Sequence, residues 1–203
     1  MPFWTAHKLC VYHSHIPKTG GTSISHWATQ AGFDLNGISG WEKPCSLQHR
    51  SLDVPSLSQD MEQHMPVACF AVVRNPIDRL VSHWCGRHSQ RENHSDSNDF
   101  HHFCTQVFLN EASNPFIYDN HIRPQVDFVD GRFELFAFGE WDRLQSFLND
   151  LTFEHGVANV FPAFPSTKHN AGRTKFQPLQ DTVDLILKNR RADYELWNMV
   201  KDA

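Results

Sequence analysis

The stretch His15-Ile16-Pro17-Lys18-Thr19-Gly20-Gly21-Thr22-Ser23 follows the apolar run Leu9 to Tyr12 and places one lysine, three hydroxyl side chains and two adjacent glycines within a few residues. Its pattern predicts a buried strand that stops at a proline, turns through glycine and enters a helix carried on by Ile24-Ser25-His26-Trp27-Ala28. A turn of this kind leaves backbone N–H groups unpaired at a helix N-terminus, where the helix dipole adds partial positive charge. Lys18 adds a full charge, and Thr19, Thr22 and Ser23 add hydroxyl donors. Gly20 and Gly21 let the backbone approach a ligand without a Cβ in between. The chemistry is that of a phosphate cradle.

A second candidate is Arg74-Asn75-Pro76-Ile77-Asp78-Arg79-Leu80-Val81-Ser82-His83-Trp84, which follows the apolar run Val67 to Val73. That run is apolar on both faces and predicts a central strand of a parallel sheet. Arg74 then leaves the carboxyl end of the strand, where open α/β sheets bind ligands. Its guanidinium can grip a phosphate through two parallel hydrogen bonds. Asn75-Pro76 reads as an N-cap followed by proline in the first helical turn, which sets Ser82 two turns into the helix. Arg79 reads as structural, within a fold-internal ion pair.

The first loop departs from the Walker pattern, in which the lysine follows the glycines and adjoins Ser or Thr. Pro-Lys-Thr-Gly-Gly-Thr-Ser instead resembles the 5′-phosphosulfate loop of sulfotransferases that use 3′-phosphoadenosine 5′-phosphosulfate (PAPS). It is most similar to the carbohydrate branch that includes heparan sulfate 2-O- and chondroitin sulfotransferases. The segment from Arg74 to Trp84 resembles the 3′-phosphate motif of the same family, with an Arg at a strand end and a Ser eight positions on. Looser landmarks follow at His121-Ile122-Arg123-Pro124-Gln125, Arg132-Phe133-Glu134, His169-Asn170 and Asp193-Tyr194-Glu195-Leu196-Trp197.

The resemblance implies a sulfotransferase domain over residues 1–203, binding PAPS and no metal, that sulfates a hydroxyl acceptor, a saccharide or glycoconjugate above all. Lys18 would stabilise charge on the bridging oxygen as the sulfate bond breaks. Thr19, Gly20, Gly21, Thr22 and Ser23 would hold the 5′-phosphate, and Arg74 and Ser82 the 3′-phosphate. In the 2-O branch the base is a His between the two motifs, a place that His49 occupies here, with Glu42 and Asp53 as rivals because other branches use a carboxylate. Arg173, Lys168 and Lys175 would close over the 3′-phosphate or meet an anionic acceptor, with Asn170 ordering that loop. Animal relatives are Golgi proteins with an N-terminal anchor. The chain therefore reads either as a soluble microbial or viral form in the cytoplasm or as a Golgi-lumen domain freed of its anchor. Two other readings stand beside this one: a phosphotransferase or nucleotide kinase with a P-loop, and a non-catalytic nucleotide-binding module.

The elements that must position these residues are those of an α/β chain with a P-loop-like three-layer fold, a central parallel sheet flanked by helices. The first helix ends near Gly32, and 36–44 reads as loop. Cys45 to His49 is a weak strand, and Pro55 to His64 a helix ended by Pro66. Ile77, Leu80, Val81 and Trp84 mark the apolar face of the helix after Arg74. Ser89 to Asp99 reads as a polar surface loop, Phe100 to Ala112 as helix and Arg132 to Phe138 as strand. Trp141 to Leu151 reads as helix, Thr152 to Pro178 as a long functional loop, and Asp181 to Val200 as one or two closing helices.

Composition bounds the partners. The chain has 203 residues, 40% hydrophobic and 20% charged, enough for one α/β domain with a substantial core. A net charge of −5 argues against nucleic acid as a partner, so any anionic ligand needs a local basic patch. The five cysteines are odd in number and scattered, which fits free buried thiols rather than a disulfide framework. No apolar run is long enough to span a bilayer. Among the fourteen histidines, His13 and His15 share one strand face, with His15 as structural support for the loop. Neither has a third ligand at metal spacing.

Overall fold

A computed structural model describes residues 3–36, 40–87, 96–165 and 177–203. In chain order these form β1 (Phe3–Ala6), β2 (Leu9–Ser14), α1 (Gly21–Gln30), β3 (Asp34–Asn36), β4 (Trp41–Glu42) and β5 (Cys45–Ser46). There follow α2 (Pro55–His64), β6 (Ala68–Val73), α3 (Pro76–Arg87), α4 (Ser97–Glu111), β7 (Phe133–Ala137), α5 (Trp141–Glu154), α6 (Gln180–Asn189) and α7 (Arg191–Lys201). Short 3-10 turns lie at Leu47–His49 and Gln125–Phe128.

Five strands make the central sheet in the order β3-β1-β2-β6-β7. β2, β6 and β7 run parallel, so their carboxyl ends at Ser14, Val73 and Ala137 lie along one edge. The expected central parallel sheet is thus corrected to a mixed one with a parallel centre. β1 turns back on β2 as a hairpin and β3 adds antiparallel to β1, so the N-terminal half of the sheet is antiparallel.

Strand alternation sends side chains to two separate cores. Trp4, Val11, Phe70, Val72 and Phe136 pack with Ile24 and Trp27 of α1 and Leu144 and Leu148 of α5 on one face. Phe3, Tyr12, Ala71, Val73, Phe133 and Ala137 pack with Leu57 of α2 and Val200 of α7 on the other. Helices therefore cover both faces of the sheet. A third cluster joins Leu80 and Trp84 of α3 to Phe100, Phe103 and Val107 of α4 and Ile186 of α6.

Local signals explain most boundaries. Asn75 caps α3, its Oδ1 accepting from the Ile77 and Asp78 N–H groups at 2.9 and 3.3 Å. α4 starts at Ser97, three residues before the apolar spacing begins, because Asp96 caps it by accepting from the Asn98 N–H at 2.7 Å. The weak strand expected over Cys45 to His49 is only two residues long and then becomes a 3-10 turn. All five cysteines are free thiols. Among the described residues no helix is long and apolar enough to cross a membrane.

Candidate functional site

The two anion motifs meet at the carboxyl edge of the sheet, and they are joined by hydrogen bonds. Arg79, buried in α3, donates from Nε to the Pro17 carbonyl at 2.9 Å, and Arg74 donates from one terminal nitrogen to the Lys18 carbonyl at 3.1 Å. A trans peptide sets its N–H opposite its C=O. Pulling these two carbonyls toward α3 therefore turns the following N–H groups the other way. None of the backbone N–H groups of residues 19–23 finds an acceptor among the described residues. Gly20 caps α1 without a side-chain hydrogen bond, so the helix N-terminus is open.

Two glycines are required here. Gly20 sits at φ 92°, and a Cβ there would press on Phe138 at 3.3 Å. A Cβ on Gly21 would fall 2.0 Å from the His15 ring, so that ring lies directly against the loop backbone. Lys18 itself adopts φ 72°, an uncommon left-handed conformation for a residue with a side chain.

Not every residue of the loop faces the same way. The buried Thr19 hydroxyl donates to the Ile16 carbonyl at 2.8 Å, so its proton is engaged inside the turn. This departs from the expectation of three hydroxyl donors: what Thr19 can offer an anion is its N–H. Thr22 is exposed and Ser23 half-buried, and neither makes a side-chain hydrogen bond among the described residues.

Arg74 is held at both ends. Gln125 clamps its backbone, accepting from the N–H at 2.9 Å and donating to the carbonyl at 2.8 Å. Its guanidinium lies 4.5 Å over the Phe138 ring, a fixed cation–π stack. Among the described residues no carboxylate, Asp78 included, lies within ion-pair distance, and the buried Nε has no hydrogen-bond partner. Burial lowers the Arg74 pKa below its ordinary value, with Asp78 opposing weakly. An oriented, partly desolvated cation with no ion-pair partner among the described residues is chemically suited to an anion. Ser82 is half-buried on α3, two turns along.

Arg79 is structural, as expected, and its partners are three carbonyls: Pro17, Arg123 at 2.8 Å and His121 at 3.2 Å. Asp193, buried in α7, lies 4.0 Å away and accepts from the Gln125 and Val126 N–H groups at 2.6 and 3.1 Å. The chain from Asp193 through Gln125 to Arg74 thus fixes the second motif from behind.

His49 is 5% exposed and sits next to this loop, its ring 5.1 Å from that of His15. Its Nδ1 bonds Asp119 Oδ2 at 2.7 Å, with Ser46 Oγ 3.0 Å away. Asp119 also accepts from the Ser46 N–H at 2.6 Å and its hydroxyl at 2.7 Å. Partial burial pulls the Asp119 pKa up, but the His49 and Ser46 hydrogen bonds win and hold it below the carboxylate range. Asp53, a rival base, is occupied: Arg123 binds it at 2.7 Å and Ser51 donates to it at 2.6 Å. Arg173, Lys168, Lys175 and Asn170 lie outside the described residues, as does the side chain of Glu42.

A pile of rings extends from this point. His13, His15, His49, His121 and His83 follow one another with ring centroids 5.8, 5.1, 4.7 and 5.2 Å apart. Burial pushes His121 down to about 3, with His49 and Lys18 adding to the effect, so it is neutral and Lys18 lies near it. Donor atoms of His49, Asp119 and His121 lie within 4.8 Å of one another, close enough to surround a metal ion. Sequence spacing suggested no such set, because the fold assembles it from segments 70 residues apart. Asp119, which bonds the His49 ring, is the residue of this cluster that sequence reasoning missed. Its one signal was Asp119-Asn120, two residues that tolerate left-handed backbone, directly before His121.

The family model described as the sulfotransferase family matches residues 1–197. No curated protein and no solved structure matches the chain. The loop, the arginine at the strand end and the family match agree, and the chain belongs to the sulfotransferase family.

Proposed function

We propose that residues 1–203 form one sulfotransferase domain that moves the sulfuryl group of PAPS to a hydroxyl of a saccharide or glycoconjugate. The observation that carries this reading is the coupling of the two motifs. Arg74 and Arg79 hold the carbonyls of Lys18 and Pro17, which leaves the loop N–H groups and an Arg74 cation with no ion-pair partner among the described residues at one edge. PAPS, when bound, supplies the activated sulfuryl group. The N–H groups of Thr19, Gly20, Gly21, Thr22 and Ser23, with the hydroxyls of the last two, hold the 5′-phosphate. Arg74 and Ser82 hold the 3′-phosphate, with Arg173 added from the later loop. Lys18 sets its ammonium against the charge that develops on the leaving oxygen, and His49 takes the acceptor proton at Nε2. Positioning and charge stabilisation do most of the work in such transfers, and the scheme requires no metal.

Support for a saccharide comes from Trp41, which is 65% exposed. Trp41 pairs with Ser46 across the β4–β5 ribbon. Directly opposed residues project from the same face, and the Ser46 hydroxyl touches the His49–Asp119 pair. An exposed indole beside a base suits the apolar face of a sugar ring.

The test is transfer of radiolabelled sulfate from PAPS to a panel of saccharide and simple alcohol acceptors. We expect transfer to a saccharide, with Lys18→Ala lowering kcat by about 100- to 1000-fold and leaving the fold intact. Turnover of ATP instead, or equal transfer by Lys18→Ala, would contradict the proposal.

A further inference from the structure

Three consecutive residues grip His49. Asp119 takes its ring at Nδ1, Asn120 donates from Nδ2 to its backbone carbonyl at 2.8 Å, and the His121 ring stands edge-on to it at 4.7 Å and 88°. To do so the chain runs through Tyr118, Asp119 and Asn120 at φ 55°, 57° and 61°. Left-handed conformations normally occur as single residues, and three in a row without glycine are unfavourable. Such strain persists only where surrounding contacts over-determine it, and it gathers at functional sites.

The hydrogen bonds define a tautomer. An ionised carboxylate only accepts, so His49 must carry its proton on Nδ1, which leaves the Nε2 lone pair open. Nε2 makes no hydrogen bond among the described residues. Ser46 fixes both Asp119 oxygens, so the carboxylate cannot rotate away from the ring.

We propose that Asp119, held by Ser46 and the left-handed turn, is the positioning residue that makes His49 the base of the sulfuryl transfer. The inference rests on the sulfotransferase reading of the site. The acceptor proton ends on Nε2 while Nδ1 keeps its own, so the ring becomes a cation facing the Asp119 carboxylate. A divalent cation is the other occupant that His49, Asp119 and His121 could take. The dyad is favoured because Asp119 already receives three hydrogen bonds, one of them from the ring itself.

Ring-nitrogen NMR of protein carrying 15N-histidine tests this directly, with His49 assigned by its loss in His49→Gln. We expect a protonated Nδ1 and a bare Nε2 in the wild type, and a changed tautomer in Asp119→Asn. In the transfer assay Asp119→Asn should lower kcat by 100-fold or more while KM for PAPS is unchanged, and Asp119→Glu should restore part of the loss. A wild-type His49 protonated on Nε2 overturns the proposal, and so does a kcat insensitive to Asp119→Asn. Cobalt(II) that binds at micromolar concentration with d–d absorption bands lost in Asp119→Asn also overturns it, since the cluster is then a metal centre. Should Asp119→Asn fail to fold, the wild-type tautomer and Ser46→Ala kinetics still decide. An Nδ1–H tautomer in a protein that binds no PAPS would instead overturn the sulfotransferase reading and with it the catalytic role, leaving only the hydrogen-bonded pair.

Discussion

His13 shows what the buried histidines cost and where that cost appears. Its ring is fully buried, stacked on Phe70 at 4.7 Å, and neither ring nitrogen has a hydrogen-bond partner among the described residues. Burial pushes it down to about 3, and burial first, then repulsion from His49 and His13, takes His15 well below its ordinary value too. In the unfolded chain each of these histidines takes up a proton near pH 6.5. For His13, between pH 6.5 and about 3, the unfolded state therefore binds more protons, and stability falls as pH falls; His15 acts in the same direction. The slope is ~1.4 kcal/mol per pH unit for each such histidine. His13→Phe removes one proton from that slope and also the two unsatisfied nitrogens. Urea unfolding at pH 7, 6 and 5 should show equal or greater stability at pH 7 and a shallower acid loss than the wild type. An unchanged slope would contradict the neutral, buried state of His13.

Arg79 couples elements, and its contribution belongs to α3 as a whole. Through three carbonyls it ties α3 to the loop before α1 and to the 121–123 segment, and Asp193 of α7 stands behind it. Removing a buried charge from such a network leaves its partners uncompensated, at about 3–5 kcal/mol. Arg79→Ala should lose that much in chemical denaturation, and the loop should lose order with it. A loss under about 1 kcal/mol would mean that the loop does not depend on α3. Elements of this kind were legible where local signals were strong. The apolar run to Val73, the Asn75-Pro76 start and the Pro55–His64 helix emerge as read. β1 and β3 were not legible, because strands of four and three residues carry no periodicity of their own and are set by pairing with β2. α4 begins earlier than its apolar spacing because its cap, not its core face, fixes its start.

At the scale of the molecule, the parallel strands β2, β6 and β7 bring Lys18, Arg74 and Phe138 to one edge, while helices on both faces seal the sheet. The half of the candidate site built on strand ends could be placed from sequence, since a glycine loop or an arginine following an apolar run is a local signal. The half around His49 was readable only as a lone histidine. Its partner lies 70 residues away on a left-handed turn, and no local pattern announces such a meeting. The central claim is that this edge binds a nucleotide carrying both a 5′- and a 3′-phosphate. The measurement that tests it most directly is calorimetric titration with 3′-phosphoadenosine 5′-phosphate beside ADP and magnesium-ATP. We predict micromolar binding of the first, much weaker binding of ADP, and loss of the difference in Arg74→Ala. Equal or tighter binding of magnesium-ATP, untouched by Arg74→Ala, would contradict the claim.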